Sequence, residues 1–197
     1  TVLPLPDGGA DLAICQTLLA NLEEPEAALA ELVRVCRPGG VVACIEPDNL
    51  VASIRGCLRN PIGLDLEDRL FLLRISAYMY RGRARLGRGD EGIGCRLNRL
   101  MHRAGLVSID VRMCDRINHM EPPYEGDTQQ WLLSAMERSL ERGEAADPDE
   151  LEPFREEVLA GGGTEADLER HLEVSARKRA ADRSALERGE YFLLAGG

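Results

Sequence analysis

Residues 3–49 read LPLPDGGADLAICQTLLANLEEPEAALAELVRVCRPGGVVACIEPDN, and the order of elements in that stretch decides the fold. Pro6-Asp7-Gly8-Gly9 is dense in turn formers, because Asp and Gly tolerate the backbone angles that reversals need. Residues 11–15 form a short, mostly apolar run of strand length. Pro25 fits the first position of a helix, where its missing N–H costs nothing and its φ is already helical. Leu29, Leu32, Val33 and Cys36 follow at i, i+3, i+4 and i+7, which places them on one helical face. Pro38-Gly39-Gly40 reads as the stop of that helix. Residues 41–45 are continuously apolar, as in a parallel strand covered on both sides. Strand, crossover helix and strand predict a right-handed βαβ unit.

Two segments of this stretch resemble class I S-adenosylmethionine-dependent methyltransferases. Residues 3–11, LPLPDGGAD, are similar to the family's entry into its fourth strand, and residues 34–40, RVCRPGG, to its approach to the fifth. Ala10 stands where the family usually has an aromatic residue, and Asn21 where many members have His. The resemblance implies an α/β fold: a truncated Rossmann-like methyltransferase sheet (strands four to seven) with a helical insertion before the last strand. In the family a glycine-rich loop follows the first strand and an acidic residue ends the second, and both would lie upstream of Thr1, with no G-x-G-x-x-G pattern expected in this chain. Three strands with their helices occupy roughly 80 to 100 residues at ordinary element lengths. The opening in mid-motif leads to the expectation that these residues are the C-terminal part of a longer enzyme, unable alone to bind the cofactor with useful affinity.

Composition sets further bounds. The 197 residues carry a formal net charge of -10, with a pI near 4.9. Nucleic-acid and anionic-membrane binders need a basic footprint, so neither partner is expected, and no apolar run is long enough to span a bilayer. The six cysteines (15, 36, 44, 57, 95 and 114) never fall at C-x-x-C spacing. They read as reduced, buried thiols of a cytoplasmic protein. The three histidines are scattered, and no metal site is expected.

The rest of the chain divides into a possible lid at 50–92 on the core of 1–114, a helical cap insertion at 115–189, and a last strand at 190–197. Leu66, Leu70, Leu73 and Ala77 predict a helix over about 65–80. The basic, glycine-rich run 81–89 follows, beside Tyr78 and Tyr80. It reads either as a lid whose arginines attract an anionic substrate or as a solvated connector. Leu97, Leu100, Met101 and Ala104 predict a helix ended by Gly105. Val107, Ile109, Val111 and Met113 alternate with polar residues and predict a strand over 107–114. Residues 190–195 would supply the final strand, which in the family lies antiparallel between the fifth and sixth. Between them, helices are predicted from Asp127, from Asp147-Pro148, and from Thr164, whose spacing to Asp167 resembles a capping box. Glu121-Pro122-Pro123-Tyr124 resembles a motif of amino-directed nucleic-acid methyltransferases, but it is Glu-led and follows the wrong strand. It reads as a turn. The helical insertion or the open sheet edge could carry a homodimer contact.

In open α/β sheets, ligands sit beyond the carboxyl ends of the strands. By resemblance, Cys15, Gln16, Thr17 and Leu18 would line S-adenosyl-L-methionine. Asn49, Tyr78, Tyr80, Arg81 and Arg83 would face a small-molecule acceptor. Glu46 and Asp48 are the candidate acid–base groups, although both suit ordinary strand-end roles. The bound cofactor's sulfonium already activates its methyl group. The protein therefore mainly aligns a nucleophile, and positioning can supply roughly 7 to 11 kcal/mol at best. A non-catalytic methyltransferase-like interaction or oligomerisation module is the alternative reading.

Overall fold

The computed structural model describes residues 2–59, 63–113, 117–144, 148–190 and 192–195. Its contacts divide the chain into two units: residues 1–51 with 83–113, and residues 52–82 with 114–197.

The first unit contains the expected strand–helix–strand: β1 (Ala10–Gln16), α1 (Pro25–Val35) and β2 (Cys36–Ile45). The two strands pair in parallel, Leu12 opposite Val41 through to Gln16 opposite Ile45, with an irregularity between Ala10 and Leu12. Pro25 lies in the first turn of α1, as its fixed φ allows. The helix buries Leu29, Leu32 and Val35, a stripe turned slightly from the one predicted. Cys36 already belongs to β2, so Pro38-Gly39-Gly40 lies inside the strand instead of between helix and strand. Gly40 fits there for lack of a side chain, since a Cβ would stand 2.8 Å from the Asp11 carbonyl oxygen. One sheet face packs Ala13, Cys15 and Val42 with Leu29, Leu32, Ile93 and Leu100. The opposite face exposes Leu12, Ile14, Val41 and Ile45.

Arg34 ties the segment before β1 to α1. Its guanidinium donates to Glu31 Oε1 and Oε2, each at 2.8 Å, and to the carbonyl oxygens of Leu3 (3.1 Å) and Leu5 (3.0 Å). It also pairs with Asp7, which sits in the turn that the sequence suggested. Glu31 Oε2 in turn accepts from the Leu3 N–H at 2.8 Å.

Beyond the βαβ unit the expectations hold less well. The helix expected over 94–105 is a 3-10 turn, Ile93–Arg96, followed by α4 (Leu97–Arg103). Gly105 takes the left-handed conformation, φ +88°, that ends it. Residues 107–113 are not a strand, which corrects the reading of their alternation. Ser108 has φ 55°, and a left-handed residue breaks an extended run. Three of the four alternating residues lie at the surface: Val107, Val111 and Met113 are 84%, 68% and 76% exposed. Residue 114 lies outside the described residues. The last strand is β4 (Phe192–Ala195), antiparallel to β3 (Ile117–Met120). The two form a separate two-stranded sheet, so Phe192–Ala195 does not join β1 and β2 in one sheet as expected for the last strand.

The remaining helices are α2 (Asn49–Arg59), α3 (Leu66–Arg85), α5 (Asp127–Glu144), α6 (Pro148–Ala160) and α7 (Glu165–Glu187). Within the second unit, Leu64, Phe71, Ile75, Val158 and Val174 make one core, and Met120, Tyr124, Leu132 and Ala185 another. Asp68, only 4% exposed, receives Arg177 at 2.7 Å and lies 3.6 Å from Arg170. Arg170 in turn lies over the Phe71 ring at 4.3 Å. An acid buried that deeply needs such partners, because removing them would strand a charge in a poor solvent. Thr164 caps α7 in the reciprocal arrangement with Asp167 that the sequence predicted. Glu121-Pro122-Pro123-Tyr124 is a turn, closed by the Tyr124 N–H on the Glu121 carbonyl at 2.9 Å. The Tyr124 hydroxyl donates to the Glu190 carbonyl at 2.6 Å.

Two glycines set how closely α3 approaches α6. A Cβ on Gly82 would stand 1.7 Å from the Glu157 carbonyl oxygen, and one on Gly161 would stand 1.8 Å from that of Tyr78. The helix expected to stop at Tyr80 therefore continues to Arg85, because Gly82 lies at a backbone contact and not in a loop. Close-packed interiors cannot absorb a methyl group at that distance without moving backbone. Gly82→Ala is expected to cost the second unit about 1–3 kcal/mol or more, read as a lowered midpoint in denaturant. Gly126→Ala, whose Cβ would meet only the Gln129 side chain at 3.8 Å, should leave the midpoint nearly unchanged.

A second expectation concerns acid. Hydrogen bonds from Arg34 and from the Leu3 N–H lower the Glu31 pKa from 4.5 to about 2. A depressed carboxylate stabilises the fold above its unfolded value, and that contribution is lost as pH falls towards the folded value. Amide exchange at residues 3–9 should therefore accelerate, relative to the α1 core, between about pH 4.5 and pH 2. Unchanged relative protection across that range would contradict the role given to Glu31.

Candidate functional site at the strand ends

The carboxyl ends of β1 and β2 lie side by side in the first unit, and Glu46 joins them. Its Oε1 accepts from the backbone N–H groups of Leu18 at 3.1 Å and Leu19 at 3.0 Å, and its Oε2 from Ala20 at 3.1 Å. The Cys15 thiol lies 3.5 Å from the same Oε1. Residues 19–21 form a 3-10 turn with no side-chain cap of its own, so its leading N–H groups need an acceptor from elsewhere. The carboxylate at the end of β2 supplies one. Thr17, at φ 49°, reverses the chain between strand and turn, and its N–H still reaches the Ile45 carbonyl at 2.9 Å. The outcome is a fixed loop that leaves Gln16, Thr17 and Leu18 exposed.

Asp48 is also occupied structurally. Its Oδ1 accepts from the Val51 N–H at 3.2 Å, the pattern of a helix N-cap at the start of α2. Asn49 is bonded to Glu91 twice, through its backbone N–H to the Glu91 carbonyl at 2.9 Å and through its side-chain amide to the carboxylate. Arg83 Nε lies 3.3 Å from the other oxygen of that carboxylate, and its Nη2 donates to the Arg88 carbonyl at 3.0 Å. Arg83 is thus largely neutralised by Glu91. The remaining expected substrate residues belong to the second unit. Tyr78 packs against its core, Tyr80 shares a 3.1 Å hydrogen bond with Ser53, and Arg81 donates to the Gly161 carbonyl while lying over the Tyr78 ring. The cofactor-side residues are therefore together in one unit with Asn49 and Arg83, and the tyrosines and Arg81 are grouped in the other.

The expectation that the chain holds no G-x-G-x-x-G pattern is wrong. Gly87-Arg88-Gly89-Asp90-Glu91-Gly92 has the G-x-G-x-x-G spacing. It follows a helix and not a strand, so it lacks the context of a dinucleotide-binding loop. It straps across the strand ends instead. The Asp90 N–H donates to the Ala20 carbonyl at 2.8 Å and the Gly94 N–H to the Pro47 carbonyl at 3.0 Å. Gly89 has φ +94°, and a Cβ there would stand 2.1 Å from the Ala20 oxygen. Only glycine permits that approach. Asp90 Oδ1 accepts from the Gly92 N–H at 2.9 Å, and its other oxygen pairs with Arg96. The signal that could have found the strap was the glycine spacing itself.

A hollow of about 520 Å³ in the same unit, lined by Cys95, Asn98, Arg99, His102, Ile109 and Val111, includes none of the strand-end residues. We give it no role. Among the described residues no group of three or more His, Cys, Asp or Glu side chains could hold a metal, and no helix is long and apolar enough to cross a membrane.

Comparison with known proteins adds a likeness over the first part of the chain. The methyltransferase domain family matches residues 1–44. A protein of Schizosaccharomyces pombe named as an uncharacterized methyltransferase is 46% identical over 52 residues. Residues 1–44 are thus similar to a methyltransferase domain. The alignment with the yeast methyltransferase covers 26% of this chain and 19% of the relative, so the chain spans about a fifth of that protein's length. The methyltransferase match contains β1, α1 and nearly all of β2. It stops just short of Glu46, the residue that braces the loop after β1.

Replacing Glu46 tests that brace. Glu46→Ala removes the acceptor of three N–H groups, two of them in the buried residues Leu19 and Ala20. The expected cost is about 2–4 kcal/mol, with hydrogen exchange at residues 18–20 accelerated more than at α1. Glu46→Gln, which keeps one acceptor oxygen, should fall between wild type and Glu46→Ala. Equal protection at 18–20 in all three proteins would show that the carboxylate does not hold the loop.

Proposed function

We propose that the protein transfers a methyl group from S-adenosylmethionine to a small-molecule acceptor, working as part of a longer enzyme, at the carboxyl ends of β1 and β2. The observation that carries this reading is the braced loop after β1, which lies within the methyltransferase-family match and presents Gln16, Thr17 and Leu18 outward. These residues fit part of a nucleoside-bearing cofactor. The Gln16 amide and Thr17 hydroxyl suit its polar groups, and the Leu18 side chain, 41% exposed, offers an apolar surface. The N–H groups of residues 18–20 are already bonded to Glu46, so side chains must make the contacts on this side.

When bound, the cofactor would supply an activated methyl group on its sulfonium. The chain's own residues would hold and orient. Glu46 and the 87–94 strap fix the loop, and Asn49, held by Glu91, faces the acceptor side in this reading. Glu46 and Asp48 both hold backbone N–H groups, which favours an acceptor nucleophilic enough to need no strong base from this chain. Action in the cytoplasm accords with the described cysteines 15, 36, 44 and 95 being free thiols.

Calorimetric titration of the full-length protein with S-adenosylmethionine is the test. Saturable binding is expected. Gln16→Ala should weaken it by about 2- to 12-fold, the equivalent of one hydrogen bond at 0.5–1.5 kcal/mol. No saturable binding by the folded full-length protein would favour a methyltransferase-like interaction module instead.

A further inference from the structure

Cys15 and Cys44 have no part in the reading above, yet the parallel register sets them directly opposite one another on β1 and β2. Adjacent strands lie about 4.7–4.9 Å apart, and a disulfide bridges Cα atoms about 4.4–6.8 Å apart. Paired residues on neighbouring strands point to the same face, and here both join the face that packs against the first unit's core. Cys15 is buried, whereas Cys44 is partly exposed at the end of its strand. The Cys15 thiol lies 3.5 Å from Glu46 Oε1.

We infer that Cys15 and Cys44 form a reversible dithiol–disulfide site, oxidised by a hydroperoxide and restored by a small-molecule dithiol. The Cys15 side chain opposite it holds the Cys44 thiol below the ordinary range. The Cys44 side chain, together with burial and the neighbouring Glu46 charge, holds Cys15 well above it. Cys44 is thus the attacking sulfur, since the thiolate is the reactive form. Its thiolate attacks one peroxide oxygen, the O–O bond breaks, and the departing oxygen takes up a proton, leaving Cys44 as a sulfenic acid. The Cys15 sulfur then attacks Cys44 sulfur, the S–O bond breaks, and the Cys15 proton leaves with that oxygen as water. Overall two thiols lose two electrons and two protons, and the peroxide is reduced to water. A dithiol reverses the process by thiol–disulfide exchange and becomes a disulfide itself. In the oxidised form Cys15 no longer donates towards Glu46, although Leu18, Leu19 and Ala20 still do. The inference does not depend on methyl transfer.

Hydrogen peroxide applied to the folded full-length protein tests it. After brief oxidation, free thiols are alkylated under denaturing conditions and the peptides are mapped by mass. The expected result is a linked pair of peptides carrying Cys15 and Cys44, lost on treatment with dithiothreitol, with the exposed Cys95 still recovered as a monothiol. Cys15→Ser should leave Cys44 trapped as a sulfenic acid, raising its reaction with dimedone at least tenfold. Cys44→Ser should leave Cys15 unoxidised. Recovery of both Cys15 and Cys44 alkylated after peroxide has oxidised Cys95 would overturn the inference. So would a disulfide joining either one to a different cysteine. The peptide map of the unmutated protein decides the matter even if neither variant folds.

Discussion

The strand-end site depends on one carboxylate. Glu46 occupies the end of β2 and accepts from three consecutive N–H groups of the turn after β1. A 3-10 turn with uncapped leading donors would otherwise compete with water for its shape. The bond also runs between neighbouring parallel strands, so it fixes the loop relative to the sheet and not merely within itself. The 87–94 strap adds a second constraint by placing backbone donors on the carbonyls of Ala20 and Pro47. The site's two carboxylates best placed for chemistry are consequently occupied with holding backbone. The exposed groups at the strand ends are an amide, a hydroxyl and an apolar side chain, a set suited to binding and orientation.

The second unit obeys a different constraint. Its helices approach closely enough that backbone carbonyls meet glycines, Gly82 against Glu157 and Gly161 against Tyr78. A buried acid, Asp68, is matched by two arginines of α7. Those features account for several charged residues that read as a lid in the sequence. Arg81 is bonded to the carbonyl at the end of α6, and its charge lies over Tyr78. A basic run in a sequence reports neither the partners nor the element of its residues. In this protein α3 simply continues through it.

The sequence made the βαβ unit legible because its signals were local. Pro25 at the helix start, the apolar stripe of α1 and the apolar run of β2 each fix an element over a few residues, and Thr164 did the same for α7. What failed depended on partners distant in the chain. The alternation over 107–113 has the period of a strand, but Ser108 departs from extended geometry and Val107, Val111 and Met113 lie exposed. Phe192–Ala195 is a strand as expected, yet it pairs with β3, an element that no pattern in the sequence marked. At the site, the residues at the strand ends followed from topology alone. The task of Glu46 did not, since three N–H groups converging on a carboxylate can be seen only once the turn is built. The strap was legible as a glycine spacing, but its position after a helix separates it from the loop that such a spacing usually marks.

In the proposed function, the ends of β1 and β2, with the 87–94 strap, form the ligand-facing surface. Amide NMR of the full-length protein, titrated with S-adenosylmethionine, examines it directly. Shifts are expected to concentrate at Gln16, Thr17 and Leu18 and in the strap, with α5, α6 and α7 little changed. Shifts concentrated in α6 and α7, with residues 16–18 and 87–94 unmoved, would contradict it.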